Sequence, residues 1–245
     1  MSDTIAFRDV AIIGGGCYGT FYASQLAAAR GRGKLLVRSL LVVDRDPGCR
    51  ASREVEPDPT MTIVAADWGA FLDEFLENPA PLPGQPDDAI VPSPLMPHLM
   101  AAWLLRVART RWPDRAAAVV SAEQPVGTPY DVLAPDGTRY ISFADWLCPT
   151  HCVEPHLCPV IRGPRTWEMS DALEEYAARL RRAHPTAGPA LFVTRHRAFG
   201  VGMFDVAEAR AARELLEREG ERETDFLVGT VSSCHGAVTR FRLGR

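Results

Sequence analysis

Three of the six cysteines fall within eleven residues, in the stretch Cys148-Pro-Thr-His-Cys-Val-Glu-Pro-His-Leu-Cys158, and a further one, Cys234, stands beside His235 in the remote segment SCHG. Close-spaced thiols on a proline-stiffened loop are poor core material. Their chemistry is that of thiolates, which coordinate metals or exchange electrons, and a loop of this kind brings donors together at little ordering cost. Cys148, Cys152, Cys158 and Cys234 are therefore the candidate ligands. His151, His156 and His235 could substitute for the fourth, or hydrogen-bond the site from outside. Intervals of three and five residues depart from the paired C-x2-C knuckles of zinc ribbons. An iron–sulfur cluster, a zinc ion and a metal-free thiol group are the three alternatives. Glu154 is read as solvating the loop, Cys17 as packing material and Cys49 as a loop residue.

A second constellation lies at the start of the chain, where the apolar run Asp9-Val-Ala-Ile-Ile enters Gly14-x-Gly16-x-x-Gly19 and then the helical pattern TFYASQLAAAR. Gly14 permits the tight turn, Gly16 lets backbone approach a pyrophosphate, and Gly19 lets helix and sheet pack closely. Free N–H groups at the helix start favour the phosphates. The next apolar run, Leu40–Val43, ends at Asp44, placed to bind the adenosine ribose; this favours NAD. Arg45 keeps NADP possible. Asp44 lies further from the glycines than the usual ~20 residues, with residues 31–39 read as an extended connection. His98 falls where a nicotinamide ring would lie.

The elements that must position these residues follow from periodicity. Strands are expected at 60–65, 88–91 and 116–120, and helices over WGAFLDEFLEN and from Pro97 to Arg109. Alternation of this kind predicts a Rossmann-like parallel sheet covered by helices on both faces, residues 1–125. Residues 126–245 form an α+β extension carrying the cysteine loop. It comprises a hairpin around Asp136-Gly137, a helix with Ser170 as N-cap, a strand at 189–194, the helix AEARAARELLERE, and two strands flanking SCHG.

The glycine turn, VVDRDP at 42–47, the strand ending at Asp67 and DAIVPSP at 88–94 together resemble the NAD-binding domains of Trk-type potassium-uptake regulators, over residues 9–110. The resemblance implies that Gly14, Gly16 and Gly19 hold the pyrophosphate, Asp44 the ribose, and that Asp67 approaches the adenine. It does not extend to the C-terminal half, and the transport role is not carried over. Cys148-Pro149 and Cys158-Pro159 resemble the Cys-Pro steps of ferredoxin-like loops, which favours an iron–sulfur cluster, 4Fe–4S, over zinc.

The expected function is an NAD(P)-binding oxidoreductase-like protein with a cysteine-ligated metal centre. The alternative is a non-enzymatic nucleotide or redox sensor with a structural zinc or iron–sulfur site. The partners expected are a dinucleotide and a redox protein. A formal charge of -4, from 27 basic and 31 acidic residues, without a basic patch, argues against nucleic acid. The absence of a long apolar run and of a basic leader argues against membrane insertion and for a cytoplasmic location, where thiols stay reduced.

Overall fold

The computed structural model describes residues 4–149 and 152–245. The chain divides into two units, unit 1 comprising Met1–Met96 with Thr194–Ala207 and unit 2 comprising Pro97–Val193 with Glu208–Arg245. The protein is α/β, with mixed sheets and six α-helices among the described residues.

In chain order, unit 1 opens with β1 (Ile5–Ile13), α1 (Cys17–Gly31), β2 (Leu35–Asp44), α2 (Arg50–Glu54), β3 (Met61–Ala65), α3 (Trp68–Phe75) and β4 (Ala89–Val91). Unit 2 continues with α4 (Leu99–Arg111), β5 (Ala117–Val120), β6 (Tyr130–Leu133), β7 (Arg139–Ser142), the short pair β8 (Leu157–Cys158) and β9 (Gly163–Pro164), α5 (Met169–Arg181) and β10 (Thr186–Val193). The chain then returns to unit 1 for β11 (Arg195–His196) and β12 (Gly202–Asp205). It passes along α6 (Val206–Glu219) to β13 (Thr224–Val231) and β14 (His235–Leu243) of unit 2.

The sheet of unit 1 has the order β11-β12-β4-β1-β2-β3; β1 to β4 run parallel, and β12 joins β4 antiparallel through Phe204↔Ile90. β1 is paired on both sides, so Val10, Ala11 and Ile12 are fully buried, as the unbroken apolar run requires. Leu26 and Ala29 of α1 pack into the same core with Leu40 and Val42. β2 begins earlier than expected: LLVRS, read as connection, is strand, because Ile5↔Leu35 starts a parallel ladder that continues to Ile13↔Val43.

Unit 2 holds a sheet of order β10-β13-β14-β7-β6, with β5 also paired to β14. β10 and β13 are parallel, while the other pairings are antiparallel. One core forms where Leu173, Tyr176, Ala177 and Leu180 of α5 meet Leu227, Val231 and Val238. The expected division at residue 125 differs from this arrangement in two respects. The strand at 117–120 extends no parallel sheet but pairs antiparallel with Arg240–Leu243, and residues 194–207 belong with the N-terminal unit. The expected cap at Ser170 also moves: Met169 already lies in α5, and Glu168, extended at φ -134, occupies the N-cap position. Among the described residues no helix is long and apolar enough to cross a membrane.

Candidate metal centre

Cys148, Cys152, Cys158 and Cys234 line a single cavity within unit 2. Each reaches it from a different support. Cys148 follows β7 on an irregular segment, and the Cys152 N–H donates to the Pro149 carbonyl at 3.0 Å. Cys158 sits in β8, paired with Gly163 of β9. Cys234 lies in the connection from β13 to β14, and its carbonyl accepts from Phe143 N at 2.9 Å just past β7.

What holds the loop on this turn is Glu154. Its side chain is 5% exposed, and its carboxylate accepts from Ser232 Oγ at 2.6 Å and Ser233 N at 2.8 Å, with His235 Nε2 at 3.4 Å. The expectation that Glu154 merely solvates the loop is therefore corrected: burial of a carboxylate is tolerated because it is hydrogen-bonded. Glu154 itself has φ 49, a left-handed conformation uncommon for a non-glycine residue. A second tie runs from Met169 N at the start of α5 to the Ser233 carbonyl, 3.1 Å.

Nitrogen donors surround the thiols. Trp167 Nε1 donates to Cys234 Sγ at 3.4 Å, and Glu154 N to Cys152 Sγ at 3.4 Å. Trp146 and Arg165 also line the cavity. The Trp146 Nε1 and the Arg165 Nε are buried, and among the described residues neither has a hydrogen-bond partner of normal geometry. Trp146 and Trp167 give the cavity an aromatic wall, their ring centroids 6.4 Å apart, and Phe143 stacks on Trp167 at 5.7 Å without lining the cavity. Burial pushes the Cys234 thiol up to about 11, against the pull of the Trp167 hydrogen bond. Burial also raises Cys148, helped by the neighbouring thiols and Glu154 and opposed by Trp146. Both shifts belong to neutral thiols in an apolar setting; a bound cation would reverse them by stabilising thiolate.

Among the described residues, no three His, Cys, Asp and Glu side chains are gathered closely enough to hold a metal ion as they stand. His235 lines the cavity, His156 is exposed and does not, and His151 lies outside the described residues. Trp146, Trp167 and Arg165 were not singled out in the sequence. The signal available was their density around the loop, with a tryptophan two residues before Cys148 and another nine after Cys158.

The glycine turn belongs to unit 1. Gly14 has φ 93, and a Cβ at Gly19 would collide with the Gly14 carbonyl oxygen, whereas one at Gly16 would meet nothing within 4 Å. No side chain caps the start of α1. Asp44 accepts from Gly15 N at 2.7 Å and from Asp46 N at 3.0 Å, so its carboxylate braces the turn. Asp67 caps α3 by accepting from Gly69 N at 2.8 Å and Ala70 N at 3.2 Å, and pairs with Arg45. Cys49 is buried against Gly15, where no Cβ would fit. Cys17 is exposed at the first residue of α1, contrary to its reading as packing material.

A family model described as "Uncharacterized protein, C-terminal domain" matches residues 100–244, a span containing all four cavity cysteines. An uncharacterized protein of Archaeoglobus fulgidus is 26% identical over 235 residues, covering 94% of this chain and 98% of its own. No solved structure matches the chain.

Proposed function

The chain belongs to the family whose model matches its residues 100–244, and we propose that it is a redox protein, oxidoreductase-like, that holds a cysteine-ligated iron–sulfur cluster in unit 2 and binds NAD(P) in unit 1. One observation carries the reading: four cysteines, three from one loop and one from a turn far along the chain, line a single cavity edged by buried N–H groups. Those groups fit an anionic sulfur centre, whose thiolates and sulfides accept hydrogen bonds that neutral thiols accept only weakly. The Cys-Pro steps and the three- and five-residue intervals favour a 4Fe–4S cluster over zinc. When bound, such a cluster supplies one-electron chemistry; the chain holds it, excludes water through the aromatic wall, and neutralises its charge.

Support for the dinucleotide lies in unit 1. The parallel order β3-β2-β1-β4 matches the first four positions of the 3-2-1-4-5-6 order of Rossmann sheets, and the glycine turn stands at the carboxyl end of β1. Open space at Gly16 and an uncapped helix start suit a pyrophosphate. Each Asp44 oxygen keeps a lone pair for a ribose hydroxyl beyond its backbone bond.

Anaerobic purification followed by absorption spectroscopy and iron and sulfide analysis tests the centre. A brown protein with about four irons and four sulfides per chain is expected. A colourless protein with one stoichiometric zinc would replace the cluster, and a folded protein without metal would remove it.

A further inference from the structure

We infer that Arg165 is the fixed counter-charge of the metal centre and that the Trp146 indole is a second built-in donor to it. This rests on the metal-centre reading above but not on which metal is bound. Four thiolates outweigh a divalent ion, and equally a cubane core of the same charge, so either occupant leaves the site anionic. An uncompensated anion in a buried cavity is costly, and the protein must supply cations or oriented N–H groups.

Arg165 is built for that task. Its side chain is 13% exposed, and its backbone N–H is tied to the His156 carbonyl at 2.6 Å. One terminal nitrogen donates to the Trp167 carbonyl at 2.8 Å and pairs with Glu168. These contacts fix the guanidinium from one side. Its Nε, buried in a residue that lines the four-thiol cavity, is without an acceptor among the described residues, and a buried donor left so is expensive. The Trp146 Nε1, also buried, interacts with the Cys148 thiol without reaching a hydrogen bond of normal geometry. Trp167 and Glu154 N already donate to Cys234 and Cys152, so two neighbours of the same cavity have sulfur acceptors. The acceptor that satisfies the remaining two is therefore thiolate or sulfide. Glu154, the acid in the cavity wall, accepts from Ser232 and Ser233 and faces His235, and neither the Arg165 Nε nor the Trp146 Nε1 is bonded to it.

The test is the rate at which the metal-loaded protein releases its metal to excess chelator. Arg165→Gln should release it ten to a hundred times faster, the range for lost outer-shell support of metal ligands. Trp146→Phe, which keeps the ring and removes the N–H, should release it several times faster, and Arg165→Lys should recover part of the loss. Glu168→Gln, which removes only the outer partner of Arg165, should stay close to wild type. A folded Arg165→Gln protein releasing metal at the wild-type rate would overturn the inference. If that variant does not fold, Arg165→Lys and Trp146→Phe both at the wild-type rate would overturn it instead. A wild-type protein holding zinc corrects the identity of the centre and leaves these rates to decide the counter-charge; one holding no metal sinks both.

Discussion

The Glu154 carboxylate receives the Ser232 hydroxyl at 2.6 Å across 78 residues of chain, joining the cysteine loop to the turn that presents Cys234. Removing it should free the loop before any ligand is lost. Glu154→Ala is expected to lower the stability of the metal-free protein by about 1–3 kcal/mol, since Ser233 N and Ser232 Oγ lose a charged acceptor. Glu154→Gln, which keeps an acceptor oxygen, should cost less. Denaturant midpoints check the ranking, and metal content should fall in the same order.

Each of Cys148, Cys152, Cys158 and Cys234, changed to Ser, should reduce metal content and loosen unit 2, because metal binding contributes folding free energy. Cys17→Ser should alter neither. Cys49→Ser should keep the metal and cost about 1–3 kcal/mol, because a hydroxyl would be buried where the thiol now packs on Gly15. Metal analysis alongside thermal unfolding separates the two kinds of loss.

Alkali should act on the metal-free protein through Cys234. Its thiol moves from 9.0 to about 11 on folding, so between these values the folded state keeps a proton the unfolded state has released. Stability contributed by the buried thiol is then complete below 9.0 and lost as pH rises towards about 11. Unfolding midpoints measured across that window should decline, and Cys234→Ala should flatten the decline. In the loaded protein the ligating thiolate has no proton to lose, so the Cys234 part of the slope should vanish.

In unit 1, Gly16→Val and Gly19→Ala should fail differently. Space at Gly16 is open, so its valine variant should fold and lose NAD binding by calorimetry. A methyl at Gly19 meets the Gly14 carbonyl oxygen and should destabilise the turn itself. Asp44→Ala should weaken NAD more than NADP, with some loss of stability from freeing Gly15 N and Asp46 N.

Elements with strong local periodicity were legible from the sequence: β1 with its glycine turn, the hairpin at Asp136-Gly137, and the two strands about Cys234. Convergence of the cysteines could be read because close-spaced thiols on a proline-stiffened loop make poor core and need another reason to cluster. The partner of a four-residue apolar run could not. Ala117–Val120 looks like one more strand of an alternating fold, and only its pairing with Arg240–Leu243 assigns it elsewhere. Arg165, Trp146 and Glu154 escaped for a similar reason: their roles depend on burial beside residues remote in sequence, and no spacing rule encodes that.

The return of residues 194–207 to the first unit has a consequence for synthesis on the ribosome. β4 is made early, yet its outer edge waits for Phe204 and Asp205, which emerge more than a hundred residues later and after most of the second unit. Until then the nascent chain carries an open parallel sheet with an unsatisfied flank, the kind of edge that recruits stray strands. A gene truncated after Val193 would make that condition permanent. It should yield aggregates rather than a free-standing nucleotide module, whereas an excised module would need the 194–207 segment grafted back after Met96.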